Sequence, residues 1–364
     1  MMRLLLTGGG TGGHVYPALT TLEWLRRCHR KAIVPLWAGS HRPVERELVA
    51  RAGVPHVPLP VAALRGRSPA GMVHGLLVTA GGLAAALHLI DQFRPTVVLA
   101  TGGYVSAPTV LAARWRRVPV LLYLPDVIPG WAVRALGRWA SVVATTTGTA
   151  RRWLRGARVV VTGYPLRPGF LPRPAATARA QLGLQPDCFT LTVVGGSLGA
   201  QRLNEALAAR LDELLGLGQV VHVAGQAGAA ALSERRERLP ASQRARYYLA
   251  AYLEEEMPLA LAAADLIVSR AGASVLGEYP AVGRGSLLVP GPFSSQLANA
   301  RYLAARGASL VLPNDRAGEF PTLVHELAGQ PTRLQAMAAA AFRLARPQAV
   351  AQLGRLVLEL EGQR

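Results

Sequence analysis

Three segments of the sequence share one layout, in which a short apolar run is followed by a glycine-rich turn and a helix-like stretch. They are LLLTGGGTGGHVYP (Leu4–Pro17), VVLATGGYVSAP (Val97–Pro108) and LTVVGGSLGAQRLN (Leu191–Asn204). Glycine lets a ligand approach the backbone closely, and the amides at a helix start attract anions. The layout predicts parallel α/β units with phosphate-bearing ligands at the turns. Each turn taken alone is equally compatible with a tight strand-to-helix connection.

Short apolar runs alternate with helix-like segments along the whole chain. In the first half, the predicted strands are Arg3–Leu6, Ala32–Trp37, Val97–Ala100, Val118–Tyr123 and Ser141–Thr145. In the second half, they are Thr190–Val194, Gln219–Ala224, Tyr247–Ala250, Asp265–Val268 and Ser286–Val289. Their nearly continuous apolar character is typical of strands buried on both faces. We therefore predict an α/β protein with doubly wound parallel sheets.

The length of 364 residues favours two domains. Between the two sets of strands lies GYPLRPGFLPRPAAT (Gly163–Thr177), whose four prolines indicate an interdomain linker. We predict a first domain over residues 1–163 and a second over 164–345. The final segment, 346–364, contains leucines near helical spacing and is expected to return as a helix to the first domain.

Positive charge is concentrated in the first half of the chain. The net charge is +19, of which residues 1–163 contribute +15. Such a surface attracts nucleic acid, anionic lipid headgroups or a phosphorylated substrate. A general preference for arginine is an alternative cause of the excess, since Lys31 is the only lysine. Nucleic-acid binding is disfavoured because the chain lacks basic stretches interleaved with aromatics.

Targeting and metal-binding signals are weak in this sequence. The start MMRLLLTGGG is interpreted as a buried strand and not as a secretory signal. Cys28 and Cys188 lie far apart, which suits a reducing cytosol. The apolar stretch Leu76–Ile90 is too short to span a bilayer, which needs about 20 residues. With Arg65 and its neighbours Arg67 and His74 it predicts either an interfacial membrane patch or a helix that covers the sheet.

Two of the segments allow more than one ligand interpretation. The first loop matches G-x-G-x-x-G, but the region after the second strand, AGSHRPVER, has no carboxylate at the strand end, where a dinucleotide site needs one. Arg42 leaves a 2′-phosphate as a weak alternative there. In LIVSRAGASVLGE, Glu278 falls in the first turns of a helix. It would bind a ribose diol or simply complement the helix dipole.

Several separated motifs together resemble the MurG family, in the family's order and over nearly the whole chain. They are GGTGGHVYP (Gly9–Pro17), TGGYVSAP (Thr101–Pro108), GYPLR (Gly163–Arg167), GGSLGA (Gly195–Ala200), SRAGASVLGE ending at Glu278, and Gln296 with Asn299. That family joins N-acetylglucosamine to an undecaprenyl-pyrophosphate-linked muramyl peptide. The resemblance implies a GT-B fold, with two Rossmann-like domains facing a cleft.

The resemblance also implies which residues bind each substrate. The implied residues for a UDP-sugar donor are Arg167, Ser197, Leu253, Gly272, Ser274, Glu278 and Gln296. The implied residues for a polyprenyl-pyrophosphate acceptor are Thr11, Gly12, Gly13, Gly102, Gly103 and Tyr104. Glu278 would hold the ribose, Leu253 the uracil through its backbone, and Gln296 the sugar hydroxyls. The enzyme is then expected at the cytoplasmic face of the membrane, as a peripheral protein on an anionic surface.

The chain departs from the family pattern at two places. Where the family usually has HEQNG, this chain has YLPDV (Tyr123–Val127), so Asp126 replaces an asparagine. The family's paired glutamines appear as Ser295 and Gln296. Both changes lie where the transferred sugar and the attacking hydroxyl should meet. The runner-up interpretation is therefore a transferase for another lipid acceptor or another UDP-sugar, followed by a catalytically silent binding protein.

The expected reaction is an inverting displacement at the anomeric carbon. The predicted general base is either His14, in the first loop, or Asp126. Amides near Ser197 and Ser274, with Arg167, would stabilise the departing diphosphate. No carboxylate cluster stands out in the sequence, so we predict neither a metal nor another cofactor.

Overall fold

The predicted strands form the centres of two sheets in the computed structural model of this protein. The structure describes residues 1–9, 12–29, 32–61, 69–195, 200–292 and 294–363, with the backbone alone for 69–77 and 294. Contacts divide the chain into two units. The first comprises Met1–Arg167 with Pro347–Arg364, and the second comprises Pro168–Arg346.

The first unit holds a parallel sheet in the order β3-β2-β1-β4-β5-β6-β7. The strands are β1 Met2–Thr7, β2 Ile33–Gly39, β3 His56–Pro58, β4 Val97–Ala100, β5 Val120–Leu124, β6 Val142–Thr145 and β7 Val159–Val161. The helices that connect them are α1 Gly12–Cys28, α2 Pro43–Arg51, α3 Pro69–Phe93, α4 Ser106–Trp115 and α5 Trp131–Gly137. A 3-10 helix, Gly148–Trp153, lies between β6 and β7.

The second unit repeats this arrangement in the order β10-β9-β8-β11-β12-β13. Its strands are β8 Thr190–Val194, β9 Gln219–Val223, β10 Tyr247–Ala250, β11 Leu266–Ser269, β12 Ser286–Leu288 and β13 Ser309–Val311. Its helices are α6 Ala175–Gln181, α7 Gln201–Ala209, α8 Leu211–Leu217, α9 Gln226–Glu237, α10 Ala241–Arg244, α11 Met257–Ala262, α12 Val275–Val282, α13 Ser294–Ala304, α14 Phe320–Ala328 and α15 Pro331–Phe342. The last helix, α16 Ala349–Gly362, belongs to the first unit.

The central strands of the first unit are apolar throughout because helices cover both faces of the sheet. Side chains of a strand alternate between its two faces. Leu4 and Leu6 pack in a core with Leu22 of α1 and with α16. Leu5 packs on the opposite face with Val110 of α4 and with residues of α3 and α5. This burial explains why the sequence shows continuous apolar runs instead of alternation.

The strand order determines where ligands can bind. In each sheet, the order reverses beside the first strand, between β1 and β4 and between β8 and β11. Ligands of doubly wound sheets bind at this reversal, outside the carboxyl ends of the strands. Thr7 pairs with Ala100 there, so the first two glycine segments leave neighbouring strands. Val194 pairs with Ser269 in the second sheet, so the third glycine segment and the SRAGAS turn also leave neighbouring strands.

Some elements differ from the sequence predictions. The strands β3, β7 and β13 were not predicted. Each has only three residues and lies at one end of its sheet. The helical stretch after β8 is divided between α7 and α8 because the backbone of Arg210 leaves the helical region, with φ −123° and ψ 24°. Among the described residues, no helix is both long and apolar enough to cross a membrane.

Candidate active site

The two glycine loops of the first unit, which follow β1 and β4, approach each other closely through their backbones. Gly102 and Gly103 have positive φ values of 87° and 80°. A Cβ at Gly103 would lie only 2.9 Å from the carbonyl oxygen of Gly9, so glycine is needed for this close approach. Gly12 and Gly13 begin α1. Thr11, also predicted to bind the acceptor, lies outside the described residues.

His14 lies between these loops and has a defined tautomer. Its Nδ1 is 2.8 Å from the carbonyl oxygen of Thr101. Because a carbonyl oxygen only accepts hydrogen bonds, Nδ1 must carry the hydrogen. In the neutral ring, Nε2 therefore bears the lone pair. This geometry gives the imidazole a base at Nε2 and holds the ring against the second loop.

Two side chains from the region after β2 complete this part of the site. The Nη2 of Arg42 donates to the hydroxyl oxygen of Tyr104, at 3.4 Å. Glu45, in the first turn of α2, is buried, and its Oε2 occupies the space that a Cβ at Gly9 would take. Its carboxylate accepts hydrogen bonds from Trp37 Nε1 and from the Ser40 amide and hydroxyl, at 2.7–3.0 Å.

The carboxylate of Glu45 stays ionised although it is buried. Burial acts to raise its pKa, but His56, Ser40 and Trp37 together outweigh this effect and hold the pKa below its ordinary value. The His56 Nε2 is 3.7 Å from Oε1. Glu45 was not among the residues predicted from the sequence. Its position three residues after Arg42, in the same strand-to-helix connection, was the only available signal.

The YLPDV segment places a tyrosine in the protein interior and an aspartate at its edge. Tyr123 is fully buried, with its hydroxyl 2.7 Å from Thr146 Oγ1 and 3.1 Å from the carbonyl oxygen of Gly163. Burial raises the pKa of Tyr123 far above its ordinary value, so it cannot act as a base near neutral pH. Asp126 follows β5 and is half-buried. Tyr123 therefore has a structural role, and Asp126 remains the candidate of this segment.

The residues around the linker contact α1. The hydroxyl of Tyr164 donates to the carbonyl oxygen of Gly13, at 3.3 Å. The guanidinium carbon of Arg167 lies 4.4 Å from the centre of the Tyr16 ring, two residues beyond His14. Arg167, predicted from the resemblance to face the donor diphosphate, is thus held on the first unit beside the loop that carries His14.

In the second unit, the SRAGAS turn is positioned by buried polar side chains. The Tyr279 hydroxyl donates to Ser269 Oγ at 2.7 Å, and Asn299 Nδ2 donates to the carbonyl oxygen of Ala271 at 3.1 Å. A Cβ at Gly272 would meet only open space. Ser274 precedes α12, and Glu278 lies half-buried in its first turn. The turn therefore leaves open space beside Gly272, six residues before the carboxylate of Glu278.

The other predicted donor residues lie around the same end of the sheet. Leu253 is buried against Leu184 and Val223. The Oε1 of Gln296 accepts a hydrogen bond from the Gly291 amide at 2.7 Å, which fixes the side chain above that turn. Ser197 lies outside the described residues. Among the described residues, no three His, Cys, Asp or Glu side chains are arranged to hold a metal ion.

A network of uncharged buried side chains joins β9, β10 and the start of α7. The buried ring of His222 on β9 is 3.0 Å from Asn204 Oδ1 and 3.0 Å from the Tyr247 hydroxyl. Asn204 Nδ2 donates to the carbonyl oxygen of Ala224, which identifies Oδ1 as the acceptor for His222 Nε2. Burial lowers the pKa of His222 to about 4. The ring is therefore uncharged and supports the start of α7.

Family models match both halves of the chain. The glycosyltransferase family 28 N-terminal domain matches residues 4–145, and the family 28 C-terminal domain matches residues 190–353. The chain belongs to glycosyltransferase family 28. It is therefore an enzyme that transfers a sugar, as its motifs predicted.

Relatives within family 28 are similar over their full length. A UDP-N-acetylglucosamine--N-acetylmuramyl-(pentapeptide) pyrophosphoryl-undecaprenol N-acetylglucosamine transferase of Roseiflexus sp. (strain RS-1) is 38% identical, over 98% of this chain and 94% of the relative. The transferase of the same name from Desulforudis audaxviator (strain MP104C) is also 38% identical, over 99% of both chains.

Solved structures agree with this family. The crystal structure of Acinetobacter baumannii MurG has a TM-score of 0.76 at 26% identity and covers 99% of this chain and 100% of its own. A UDP-GlcNAc 2-epimerase from Neisseria meningitidis, at 14% identity and a TM-score of 0.67 over 98% of this chain and 100% of its own, shares the fold alone. The predicted GT-B fold and the resemblance to the MurG family are confirmed.

Proposed function

We propose that this enzyme transfers N-acetylglucosamine from UDP-GlcNAc to the muramyl sugar of an undecaprenyl-pyrophosphate-linked peptidoglycan precursor, with inversion at the anomeric carbon. The observation that carries the proposal is the full-length similarity, at 38% identity, to transferases with that name. The two sites at the strand-order reversals supply the necessary groups, one in each unit.

The second unit would bind the donor. The Glu278 carboxylate lies beside the SRAGAS turn, where it can accept hydrogen bonds from both ribose hydroxyls. The diphosphate would approach Gly272, where a Cβ would meet nothing within 4 Å, and the start of α12 after Ser274. The buried Leu253 would offer its backbone to the uracil. Gln296 has its Oε1 engaged with Gly291, which leaves its Nε2 to donate to a sugar hydroxyl.

The first unit would bind the acceptor and take its proton. Backbone amides of Gly12, Gly13, Gly102 and Gly103 would receive the acceptor pyrophosphate, together with the Tyr104 hydroxyl. The lone pair at His14 Nε2 would remove the proton of the attacking hydroxyl as the bond to the anomeric carbon forms. The electrons of the breaking bond would go to the UDP oxygen, and Arg167 would stabilise that charge.

Asp126 is the alternative base. It follows β5 on the same edge of the sheet as the glycine loops, and it is half-buried. His14 has the better-defined geometry, because its ring is oriented by the Thr101 carbonyl. We therefore assign the base to His14 and a substrate-contacting role to Asp126, where it replaces the family's asparagine.

The enzyme would work as a peripheral protein at the cytoplasmic face of the cell membrane, where a polyprenyl-linked acceptor resides. The excess of +15 over residues 1–163 is consistent with attraction to anionic lipid. Because YLPDV departs from the family pattern, a second function remains a candidate. It is a family 28 transferase whose acceptor is a different lipid, such as diacylglycerol or another polyprenyl carrier.

A turnover assay tests the proposal. The purified enzyme is incubated with UDP-GlcNAc and a soluble-chain analogue of the muramyl-pyrophosphate lipid, in the presence of EDTA. We expect a disaccharide product and release of UDP. Measurable UDP binding without any product would reject this acceptor while retaining the donor site.

A further inference from the structure

Helix α1 contacts two different parts of the proposed site through His14 and Tyr16. The Nδ1 of His14 donates to the Thr101 carbonyl oxygen of the second glycine loop. Two residues later, the ring of Tyr16 contacts Arg167 of the linker, whose guanidinium carbon lies 4.4 Å from the ring centre. Side chains two residues apart on a helix do not face each other. The helix that carries the proposed base therefore also contacts, on another side, the proposed stabiliser of the departing diphosphate.

The contact between Arg167 and Tyr16 has the geometry of a cation–π interaction. A guanidinium within about 6 Å of an aromatic centre is attracted to the negative face of the ring. Both side chains are half-buried, so water screens this attraction less than it would at a fully exposed site. Arginine is also a long side chain with many rotamers, and a planar partner restricts them. The ring therefore orients Arg167 in addition to packing against it.

The Tyr16 ring is itself placed against the start of α1. A Cβ at Gly12 would lie 3.2 Å from Tyr16 Cε2, so the ring needs the space that glycine leaves there. Gly12 and Tyr16 are four residues apart and share one face of the helix. Gly12 is one of the residues whose amides are proposed to receive the acceptor pyrophosphate. The ring therefore contacts both the proposed acceptor loop and Arg167.

The backbone that leads to Arg167 is anchored within the first unit. The Gly163 carbonyl oxygen accepts a hydrogen bond from the buried Tyr123 hydroxyl at 3.1 Å, and Gly163 has a φ of 90°, which favours glycine. Tyr164 is 4% exposed, and its hydroxyl donates to the Gly13 carbonyl oxygen. The Arg167 side chain thus starts from a backbone that is fixed three residues earlier, and its remaining freedom lies mainly in its own rotamers.

We propose that Tyr16 is a positioning residue whose ring orients the Arg167 guanidinium for binding the diphosphate of the UDP-sugar. This inference rests on the proposed function, because Arg167 is assigned there to the charge of the departing UDP. Tyr16 acts through Arg167 and needs no contact of its own with a substrate. Its hydroxyl is not required for this role, since the face of a phenylalanine ring carries the same negative potential.

Substitutions that separate the ring face from its bulk test this role. Tyr16→Leu keeps an apolar side chain without an aromatic face, and it should weaken UDP binding and lower kcat about 10-fold each. Tyr16→Phe keeps the face and should stay within about 2-fold of wild type. Calorimetric titration measures UDP binding, and turnover of the soluble-chain muramyl-pyrophosphate analogue gives kcat. Uridine, which lacks the diphosphate, should bind all three proteins equally.

Two further measurements separate an interaction with Arg167 from a packing effect. Fluorinated versions of the Tyr16→Phe side chain have a weaker negative ring face and nearly the same shape, so UDP affinity should fall stepwise with each added fluorine. In an enzyme that carries Arg167→Gln, adding Tyr16→Leu should cause no further loss, because the group on which the ring acts is absent. A role in packing alone would give the same loss in both backgrounds.

The matched control removes a similar contact elsewhere. At the end of α13 in the second unit, the Arg306 guanidinium carbon lies 3.7 Å from the centre of the Tyr302 ring. Tyr302→Leu should keep the UDP affinity and the kcat of wild type, because neither residue belongs to the proposed site. Thermal unfolding establishes that each variant is folded. If Tyr16→Leu does not fold, the fluorinated series, which keeps the shape of the side chain, carries the test.

The outcomes distinguish this inference from the proposed function. A loss of UDP affinity in Tyr16→Leu that Tyr16→Phe restores, together with GlcNAc transfer by wild type, supports both. The same affinities with no transfer by wild type support Tyr16 as a positioning residue and reject the acceptor. Equal UDP affinities in wild type and Tyr16→Leu overturn the inference, and equal losses in Tyr16→Leu and Tyr16→Phe overturn it in favour of the hydroxyl. Tighter UDP binding by Tyr16→Leu also overturns it, because the ring would then hold Arg167 away from the diphosphate.

Discussion

The two units have the same strand order but contain buried polar networks of different charge. In the first unit, an ionised carboxylate, Glu45, lies beneath Gly9 and accepts hydrogen bonds from Trp37 and Ser40. In the second, the uncharged ring of His222 is hydrogen-bonded to Asn204 of α7 and to Tyr247 of β10. Both networks start from the second strand of their sheet, β2 and β9. The two units therefore have a polar network at the same point of the topology, and the local sequence determines its charge.

This difference in charge should give the two units different pH dependences of stability. Glu45 has a lowered pKa, so its contribution to stability is lost only as the pH falls below its ordinary value of 4.5. His222 has a pKa lowered to about 4, so its unfavourable protonation begins to cost stability as soon as the pH falls below about 6.5. We expect the second unit to be the more acid-sensitive of the two.

The largest expected effect tests whether His14, in the first unit, is the general base. His14→Ala removes the base at Nε2 and should lower kcat about 1000-fold, within the range of general-base catalysis. UDP affinity, measured by calorimetry, should not change, because the proposed ribose and uracil contacts belong to the second unit. The matched control His41→Ala removes an exposed histidine of the same unit and should keep full turnover. A His14→Ala enzyme as active as wild type would transfer the role of base to Asp126.

The second-largest expected effect is the pH dependence of stability that the buried, uncharged His222 should cause. Between pH 6.5 and pH 4 the unfolded chain binds a proton at His222 that the folded chain does not, so the free energy of unfolding should fall by about 3 kcal/mol. Urea denaturation across this range measures the fall. His222→Gln should flatten the dependence, while His325→Gln, which removes an exposed histidine of the same unit, should leave it unchanged. A wild-type stability that is constant from pH 6.5 to 4 would show that His222 is not held neutral.

Binding of the donor's ribose should depend on the second unit. Glu278→Ala removes an ionised acceptor for the ribose hydroxyls and should weaken UDP binding about 30-fold, equivalent to about 2 kcal/mol. Calorimetric titration with UDP gives this value, and Glu255→Ala in the same unit serves as the control. Unchanged UDP affinity in Glu278→Ala would place the ribose elsewhere.

The smallest effect compares a constrained glycine with an open one. Gly103→Ala should destabilise the first unit by about 2 kcal/mol, because it places a side chain at φ 80° and against the Gly9 carbonyl oxygen. Gly272→Ala should leave the stability almost unchanged, because its Cβ meets open space. Urea denaturation measures both, and donor KM should rise in the second variant if the diphosphate approaches Gly272. Equal stability losses in the two variants would contradict the description of the loops.

The sequence was sufficient for the central strands and for β10, but not for the strands at the other three ends of the sheets. β1, β4 and β8 are apolar runs followed by glycine, and their burial on both faces makes the pattern clear. Strands β3, β7 and β13 have three residues each and are partly exposed, so their short sequences carry little periodic signal. They become strands through pairing with a neighbour that is distant in sequence.

The candidate site shows a similar limit. His14 and Glu278 were selected because they occur within motifs. Glu45 and Asn299 were not selected for a role in the site's architecture, because their function depends on contacts that folding creates: Glu45 with Gly9, and Asn299 with Ala271. The position of Arg167 over Tyr16 likewise depends on how the linker returns to α1. Motifs identify groups that contact substrates, whereas the groups that orient them require the fold.

The acceptor is the central claim, and a competition experiment tests it most directly. The enzyme is given radiolabelled UDP-GlcNAc with equal concentrations of the soluble-chain muramyl-pyrophosphate analogue, a polyprenyl phosphate without the muramyl sugar, and a short-chain diacylglycerol. We predict that the label appears only on the muramyl analogue, as a β-linked disaccharide. Label on diacylglycerol or on the polyprenyl phosphate, with the muramyl analogue unmodified, would contradict this account while leaving the fold and the donor site intact.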